Sequence, residues 1–143
     1  MIAYLDSSVL MRIILQEANP LREWDELVVG VSSVLISVEG YRTLDQLWHR
    51  NQLDENDVAE KRLLLETFLP RLDLKELTPD VLKLASNALP TPVRTLDALH
   101  LATAMLYRMT QPGDERPIFF ATHDVQLAKA AKAMHFDVIG VPL

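Results

Sequence analysis

The sequence contains no cysteine, only four glycines and no apolar run long enough to cross a bilayer. The absence of cysteine excludes disulfide bonds and thiolate metal sites, so any bound metal must have oxygen or histidine ligands, which favours hard cations. The N-terminal segment MIAYLDSS has no basic region ahead of a hydrophobic one, as a secretion signal would. We therefore expect a cytoplasmic protein without a membrane-spanning segment.

The chain also lacks internal repeats, low-complexity segments and Gly/Ser-rich linkers, so its sequence offers no internal domain boundary. Its 143 residues, of which 49% are hydrophobic and 24% charged, have the size and composition of a folded globular domain. We expect a single domain over residues 1–143 with one compact core.

Positive charge is scarce, and the formal net charge is -6. This balance argues against a nucleic-acid partner, because phosphate binding normally requires a basic surface. However, a divalent cation bound by converging acidic residues would reverse the local sign of charge, and a partner chain could supply further arginines. Net charge alone therefore leaves the question of a nucleic-acid partner open.

Apolar periodicity and turn-forming residues predict strands that alternate with helices. We predict strands at 1–5, 26–33, 72–77, 118–121 and 136–141, helices at 7–17, 34–50, 54–69, 79–89, 95–109 and 123–134, and a turn-rich loop at 112–117. On the helix at 34–50, the expected inner face comprises Val34, Val38, Tyr41, Leu44, Leu47 and Trp48. This alternation predicts a three-layer α/β/α fold with a mostly parallel central sheet.

Asp6 and Asp124 each follow a predicted strand directly and precede a helix. Either aspartate, or its neighbours Ser7 and Thr122, could simply cap the helix that follows. Ligands of open parallel sheets, however, bind at the carboxyl ends of the strands, and both aspartates should lie at that edge. Capping and a functional role therefore both remain open for each residue.

Two further carboxylates stand out by their surroundings. Asp97 lies in the apolar stretch TLDALHLATAML. It could face the helix dipole with Thr95 as the cap, or pair with Arg94. Glu39 leans toward the core of its helix, where a carboxylate without a partner is costly, so it needs either an ion pair with Arg42 or a cation.

The histidines mostly favour structural interpretations. His100 lies one turn after Asp97 and could help to bind substrate, but a single histidine in an apolar helix is more often a core residue. His123 is expected to be exposed and within reach of a substrate. His135 follows the final helix, where a residue often adopts a left-handed conformation.

Four segments occur in a characteristic order: YLDSS, VSSVLISVE, RTLDALHLATA and ATHDVQLAKAA. In this order the sequence resembles the PIN-domain family over essentially its whole length, in particular the VapC-type toxins of toxin-antitoxin pairs. The resemblance implies that Asp6, Glu39, Asp97 and Asp124 form an acidic cluster that is catalytic and holds a divalent metal. Thr122 and Ser7 match the hydroxyl residues of that site. Such sequences often carry glycine after the final helix, where this chain has Met134-His135-Phe136.

The resemblance also implies an activity and partners. A metal held by carboxylates can generate a nucleophile from water and stabilise charge on a phosphate, as phosphodiester hydrolysis requires. The implied protein is an endoribonuclease that uses Mg²⁺, with Mn²⁺ as a substitute, and acts as a homodimer inhibited by a small antitoxin. Arg94 could contact a phosphate of the RNA or pair with Asp97. In the metal-free site, carboxylate repulsion should raise the pKa of Asp97 above all.

Two other classes of function remain. A phosphorylated receiver-like signalling domain would need paired acids after the first strand, whereas Asp6 is followed by Ser7 and Ser8, and a lysine after the last strand, where none occurs beyond Lys132. A PIN-like module that binds RNA or protein without cutting would not need to retain four mutually repelling carboxylates. Metal dependence of any activity distinguishes these alternatives.

Overall fold

A computed structural model describes residues 1–111 and 117–142. One or two α-helices separate successive strands, in the order β1 (Ile2–Leu5), α1 (Ser7–Ile14), β2 (Val29–Ser33), α2 (Leu35–His49), α3 (Glu55–Phe68), β3 (Asp73–Lys75), α4 (Pro79–Ala85), α5 (Thr95–Thr110), β4 (Ile118–Ala121), α6 (Val125–Ala133) and β5 (Asp137–Ile139). None of the helices in the described ranges is long and apolar enough to cross a membrane.

The five strands form one sheet in the order β3-β2-β1-β4-β5, and every pair is parallel. From the central strand β1 the chain builds outward through β2 and β3 on one side, and then crosses to β4 and β5 on the other. The strand order therefore reverses between β1 and β4, and in open sheets such a reversal opens a crevice at the carboxyl ends of the strands. In this fold, Leu5 of β1 is paired with Ala121 of β4, so the residues that follow both strands lie side by side.

Helices cover both faces of the sheet. On one face, Tyr4, Val31 and Phe120 are buried against side chains of α5 and α6, among them Leu101 and Leu127. On the opposite face, Ala3, Leu5 and Ala121 pack with Val9 of α1, and α1 packs in turn with α2 and α3. The prediction of a three-layer α/β/α fold with a parallel sheet is confirmed.

Most predicted elements are present but several are shorter than predicted. Helix α1 ends at Ile14 because Gln16 adopts a positive φ of 55°, and α4 ends at Ala85, short of the predicted residue 89. The start of the predicted strand 26–33 is wrong, because a 3-10 helix occupies Trp24–Glu26 and β2 begins at Val29. The predicted loop at 112–117 lies almost entirely outside the described residues.

Two residues on the predicted inner face of α2 are exposed instead. Val38 is 59% exposed and Trp48 is 44% exposed, whereas Leu44 is fully buried. The helix buries a narrower stripe, centred on Ile36, Gly40 and Leu44, than the apolar pattern predicted. Apolar content alone therefore overestimated how much of this helix faces the core.

The end of α6 confirms the expectation for His135. This residue has a φ of 66°, in the left-handed region that usually favours glycine. Its backbone N–H donates to the carbonyl of Lys132, and that of Phe136 donates to Ala131. These two bonds form a Schellman motif, which closes the helix without the glycine that usually occupies this position.

Candidate functional site

Asp6 lies directly after β1 and is almost completely buried, with 4% of its surface exposed. One carboxylate oxygen accepts a hydrogen bond from Ser8 Oγ at 2.6 Å, and the other accepts from Thr122 Oγ1 at 2.8 Å. Burial raises the pKa of Asp6, and the two hydroxyl donors oppose part of that rise. The Asp6 carboxylate also caps α1 by accepting from the backbone N–H of Val9, so capping and placement at the sheet edge coexist.

Thr122 connects the two central strand ends. Its fully buried hydroxyl donates to Asp6 and accepts from the backbone N–H of Asp124 at 3.0 Å. Its own backbone N–H donates to the carbonyl of Ile139 in β5. Next to that strand end, Gly140 has a φ of 101°, and a Cβ atom there would collide with the Thr122 carbonyl. Thr122, which follows β4, is therefore held by hydrogen bonds at the ends of both β1 and β5.

Asp124 is the N-cap residue of α6, where its side chain accepts from the backbone N–H of Leu127 at 3.0 Å. Since one carboxylate oxygen makes this bond, the second is left to face the crevice. The capping interpretation is confirmed for Asp124, as it is for Asp6. In both cases the cap fixes a carboxylate at the edge of the sheet rather than excluding another role.

Glu39 does not pair with Arg42, which forms an ion pair with Asp45 at 2.9 Å instead. One oxygen of Glu39 contacts Nε2 of the buried His100, and the other accepts from Ser7 Oγ at 3.2 Å. The ion pair with Arg42, one of the two alternatives for Glu39, does not form because Arg42 is on the exposed side of α2, whereas Glu39 points toward α5. Ser7, the hydroxyl expected in the site, thus contacts Glu39 rather than the adjacent Asp6.

Asp97 and Arg94 lie at the N-terminus of α5, on the open side of the crevice. The pKa of Asp97 is raised, as expected, but burial is the largest cause; the negative charge of Asp124 raises it further, and Arg94 opposes the rise. Arg94 Nε is 3.7 Å from Asp97, and Arg94 Nη2 is 3.9 Å from Asp124. Of the two alternatives for this region, the pair with Arg94 is present, whereas Thr95 is not the cap: Arg94 occupies the N-cap position, without a side-chain capping bond.

A cleft of about 430 Å³ opens beside these residues. Its lining comprises Pro92, Val93, Arg94, Asp97, Asp124, Gln126 and Leu127. The cleft is therefore acidic on one wall and carries the guanidinium of Arg94 at its rim. A polyanion could reach the acidic residues only if their charge were neutralised first.

The donor set has the chemistry of a site for a hard cation, since it consists of carboxylate and hydroxyl oxygens. The charges of Asp124 and Glu39 both raise the pKa of Asp97, so these carboxylates share one electrostatic field that a cation would relieve. Their spacing is wider than a coordination shell, because within residues 1–111 and 117–142 no three acidic or histidine side chains lie close enough to hold a metal. Binding an ion would thus require the side chains to move inward.

The sequence interpretation missed two contacts and misplaced one residue. Ser8, rather than Ser7, donates to Asp6, and its hydroxyl also accepts from the backbone N–H of His123. His100 is a core residue, as expected, but its partner is Glu39. His123 is half-buried, with Nδ1 2.8 Å from the carbonyl oxygen of Gly140, and is not the exposed residue that its position predicted. Two features of the sequence could have indicated these contacts: the second serine after Asp6, and the position of His100 one helical turn after Asp97.

Comparison with known proteins gives three consistent matches. The family model for the PIN domain matches residues 3–133. Ribonuclease VapC46 from Mycobacterium tuberculosis is 33% identical over 139 residues, which cover 95% of each chain. The crystal structure of FitAcB from Neisseria gonorrhoeae superposes with a TM-score of 0.64 at 15% identity, over 96% of each chain, and is similar in fold.

Proposed function

The chain belongs to the PIN-domain family, and from that premise we propose that it is a metal-dependent endoribonuclease, the toxin of a VapBC-type toxin-antitoxin system. The observation that carries the proposal is that acidic residues from four segments of the chain lie around the strand ends of β1 and β4, from where their side chains could move inward onto one ion. The likeness to a protein named as a ribonuclease supports the same activity. We further propose a single nuclease domain over residues 1–143 that acts in the cytoplasm.

In this proposal Asp6, Glu39, Asp97 and Asp124 are the catalytic carboxylates and would hold Mg²⁺, with Mn²⁺ as a substitute. The ion would make a water molecule nucleophilic near neutral pH and neutralise charge on the scissile phosphate. Oxygen donors alone are what these cations prefer. The buried position of Asp6 and the mutual repulsion around Asp97 support the assignment, since both raise the energy of an ionised site without a cation.

Three supporting residues have separate tasks. Thr122 fixes the orientation of Asp6 by its hydrogen bond, and Ser7 fixes one oxygen of Glu39. Arg94 is largely exposed and lies at the rim of the cleft. There its guanidinium can leave its ion pairs with Asp97 and Asp124 and bind an RNA phosphate instead. The proposal thus places the acids at the scissile bond and Arg94 beside it.

The proposed partners follow from charge and family. A chain with net charge -6 binds RNA weakly by itself, so a homodimer whose two sites share a groove would strengthen binding. A small antitoxin would inhibit the enzyme by placing a basic segment in the acidic cleft. RNA, antitoxin and a second copy of the chain are therefore the three expected partners.

The test is cleavage of structured RNA and of total cellular RNA by protein freed of any co-purified partner. We expect cutting with Mg²⁺ or Mn²⁺ and none in EDTA. Asp97→Asn should lose about a hundredfold or more of the rate, because an interaction made at the reacting phosphate is removed. The matched control is Asp45→Asn, which removes a carboxylate on the exposed side of α2 and should cut normally.

Absence of cleavage under every metal condition, with wild-type and variant proteins both folded, would contradict the proposed activity. Binding of RNA or of a protein without cutting would then favour the non-catalytic PIN-like module. Equal cutting by wild type and Asp97→Asn would keep the nuclease but remove Asp97 from its site.

A further inference from the structure

His100 makes a pair of contacts that connect the interior of the fold to the acidic site. The side chain is only 1% exposed. Its Nδ1 lies 2.8 Å from the hydroxyl of Tyr4, and its Nε2 contacts Glu39 Oε1. Since Ser7 binds the other Glu39 oxygen, both oxygens of this carboxylate have partners within the protein.

The chemistry of these groups determines the direction of the hydrogen bonds. An ionised carboxylate can only accept, so Nε2 of His100 must carry the proton that it shares with Glu39. In a neutral imidazole this leaves Nδ1 as an acceptor for the Tyr4 hydroxyl. The Tyr4 hydroxyl can donate to this nitrogen at 2.8 Å. In the series Tyr4, His100 and Glu39, every hydrogen-bond donor therefore faces an acceptor.

The anchoring elements are the ones that carry the other carboxylates. Tyr4 lies on β1, two residues before Asp6, and His100 lies on α5, one turn after Asp97. Glu39 comes from a third element, α2, and the bond from Ser7 orients only one of its two oxygens. Through His100, the Glu39 carboxylate is positioned against both β1 and α5.

We infer that His100, anchored by Tyr4, is a positioning residue that holds the Glu39 carboxylate in place for cation binding. The inference rests on the proposed function and deepens it. A preoriented carboxylate has already lost its rotamer freedom in the folded protein, so this entropy is not lost again when the cation binds. Groups that orient metal ligands typically change metal affinity by about 10–100-fold when removed.

The test compares His100→Leu with His100→Gln. Leucine fills most of the volume without a donor, whereas the amide of glutamine can place an N–H near the former Nε2. We expect His100→Leu to weaken binding of Mn²⁺ alone by about tenfold, measured by electron paramagnetic resonance of the free ion. The kcat for RNA should fall while KM changes little, and His100→Gln should recover most of both losses.

A second variant keeps the inference falsifiable if His100→Leu does not fold. Tyr4→Phe removes only the hydroxyl that orients the imidazole, and it should weaken Mn²⁺ binding by a smaller factor than His100→Leu. His49→Leu is the matched control, since His49 is exposed on α2 and its ion pair is with Asp45, outside the proposed site. It should leave Mn²⁺ affinity, kcat and melting temperature unchanged.

The possible outcomes separate the two proposals. Lower melting temperatures with wild-type Mn²⁺ affinity and kcat in the folded variants would show that His100 is only structural, and would overturn the inference while the nuclease proposal stands. If wild-type protein neither binds Mn²⁺ nor cuts RNA, the proposed function fails and the inference fails with it. Weaker Mn²⁺ binding and a lower kcat in His100→Leu, with both largely recovered in His100→Gln, support the inference.

Discussion

The acidic site has two sides that are held in different ways. The closed side, which consists of Asp6 and Glu39, receives hydrogen bonds from Ser7, Ser8, Thr122 and His100. The open side, which consists of Asp97 and Asp124, faces the cleft, and one oxygen of Asp124 is fixed there by its capping bond from the backbone N–H of Leu127. Within the described ranges its side-chain ion pairs are to Arg94 alone, at 3.7 and 3.9 Å.

This difference separates a preoriented part of the site from an adjustable part. Hydrogen bonds to buried charges are costly to break, whereas exposed ion pairs contribute little to stability. The closed side can therefore keep its geometry while Asp97 and the second oxygen of Asp124 rearrange around an incoming cation and RNA. The same type of substitution should lower the free energy of unfolding more on the closed side than on the open side.

Gly140→Ala should have the largest effect on stability, because it distorts the closed side through the backbone. The φ of 101° is unfavourable for alanine, and the new methyl group would meet the Thr122 carbonyl. We expect a loss of about 2 kcal/mol or more in the free energy of unfolding, measured in urea.

The control for that change is Gly30→Ala on β2. Its methyl group would meet the flexible end of Leu72 at 2.9 Å, and its backbone is not in the left-handed region. Gly30→Ala should therefore cost less than Gly140→Ala. Equal losses in the free energy of unfolding of the two variants would mean that the backbone of Gly140 beside Thr122 is no more constrained than that of Gly30.

Thr122→Val should destabilise the protein by about 1–3 kcal/mol, because it removes a buried hydrogen bond to a charged group. It should also raise the pKa of Asp6 further, since the hydroxyl that opposes the effect of burial is gone. Thr122→Ser, which keeps the hydroxyl, is the matched control. Urea denaturation that ranks valine and serine equally would refute the role of this bond.

Arg94→Gln tests the open side and should change the free energy of unfolding by less than about 0.5 kcal/mol. Removing the cation from beside Asp97 and Asp124 should strengthen Mn²⁺ binding at low salt by less than about tenfold, and added salt should reduce the difference. Arg94→Lys, which retains the charge, should bind Mn²⁺ like the wild type. Weaker Mn²⁺ binding in Arg94→Gln would contradict the competition between Arg94 and a cation.

The smallest effect concerns pH. Because the pKa of Asp97 is raised in the folded state, its contribution to stability is fully present below the ordinary carboxyl pKa and is lost as pH rises through the raised value. Metal-free Asp97→Asn should therefore be more stable than wild type at pH 7, by less than about 1 kcal/mol given solvent screening. The gap should narrow as pH falls toward about 4. A stability difference between Asp97→Asn and wild type that grows as the pH falls would mean that the pKa of Asp97 is lowered in the folded state, not raised.

The sequence was a good guide to the fold because strand and helix identity depends on local patterns. The apolar run IFFA became β4 with its predicted bounds, and the parallel sheet followed from the alternation of elements. Helix ends were less predictable, since they depend on single residues such as Gln16 that adopt a left-handed conformation.

The predicted site residues do lie around the carboxyl ends of β1 and β4, but their partners were only partly predictable. The pairing of Arg94 with Asp97 is local in sequence and was anticipated. The contact of Glu39 with His100 joins residues 61 positions apart, and it depends on how α2 and α5 pack. Helical spacing alone suggested Arg42 instead.

Binding of Mn²⁺ to the metal-free protein tests most directly whether the two sides form one cation site. The measurement compares wild type with Asp6→Asn, Glu39→Gln, Asp97→Asn and Asp124→Asn by electron paramagnetic resonance of the free ion. We predict that every variant weakens binding by at least about tenfold, because removal of residues that merely orient ligands already has that effect. Wild-type affinity in folded variants of either side would contradict a site shared by all four carboxylates.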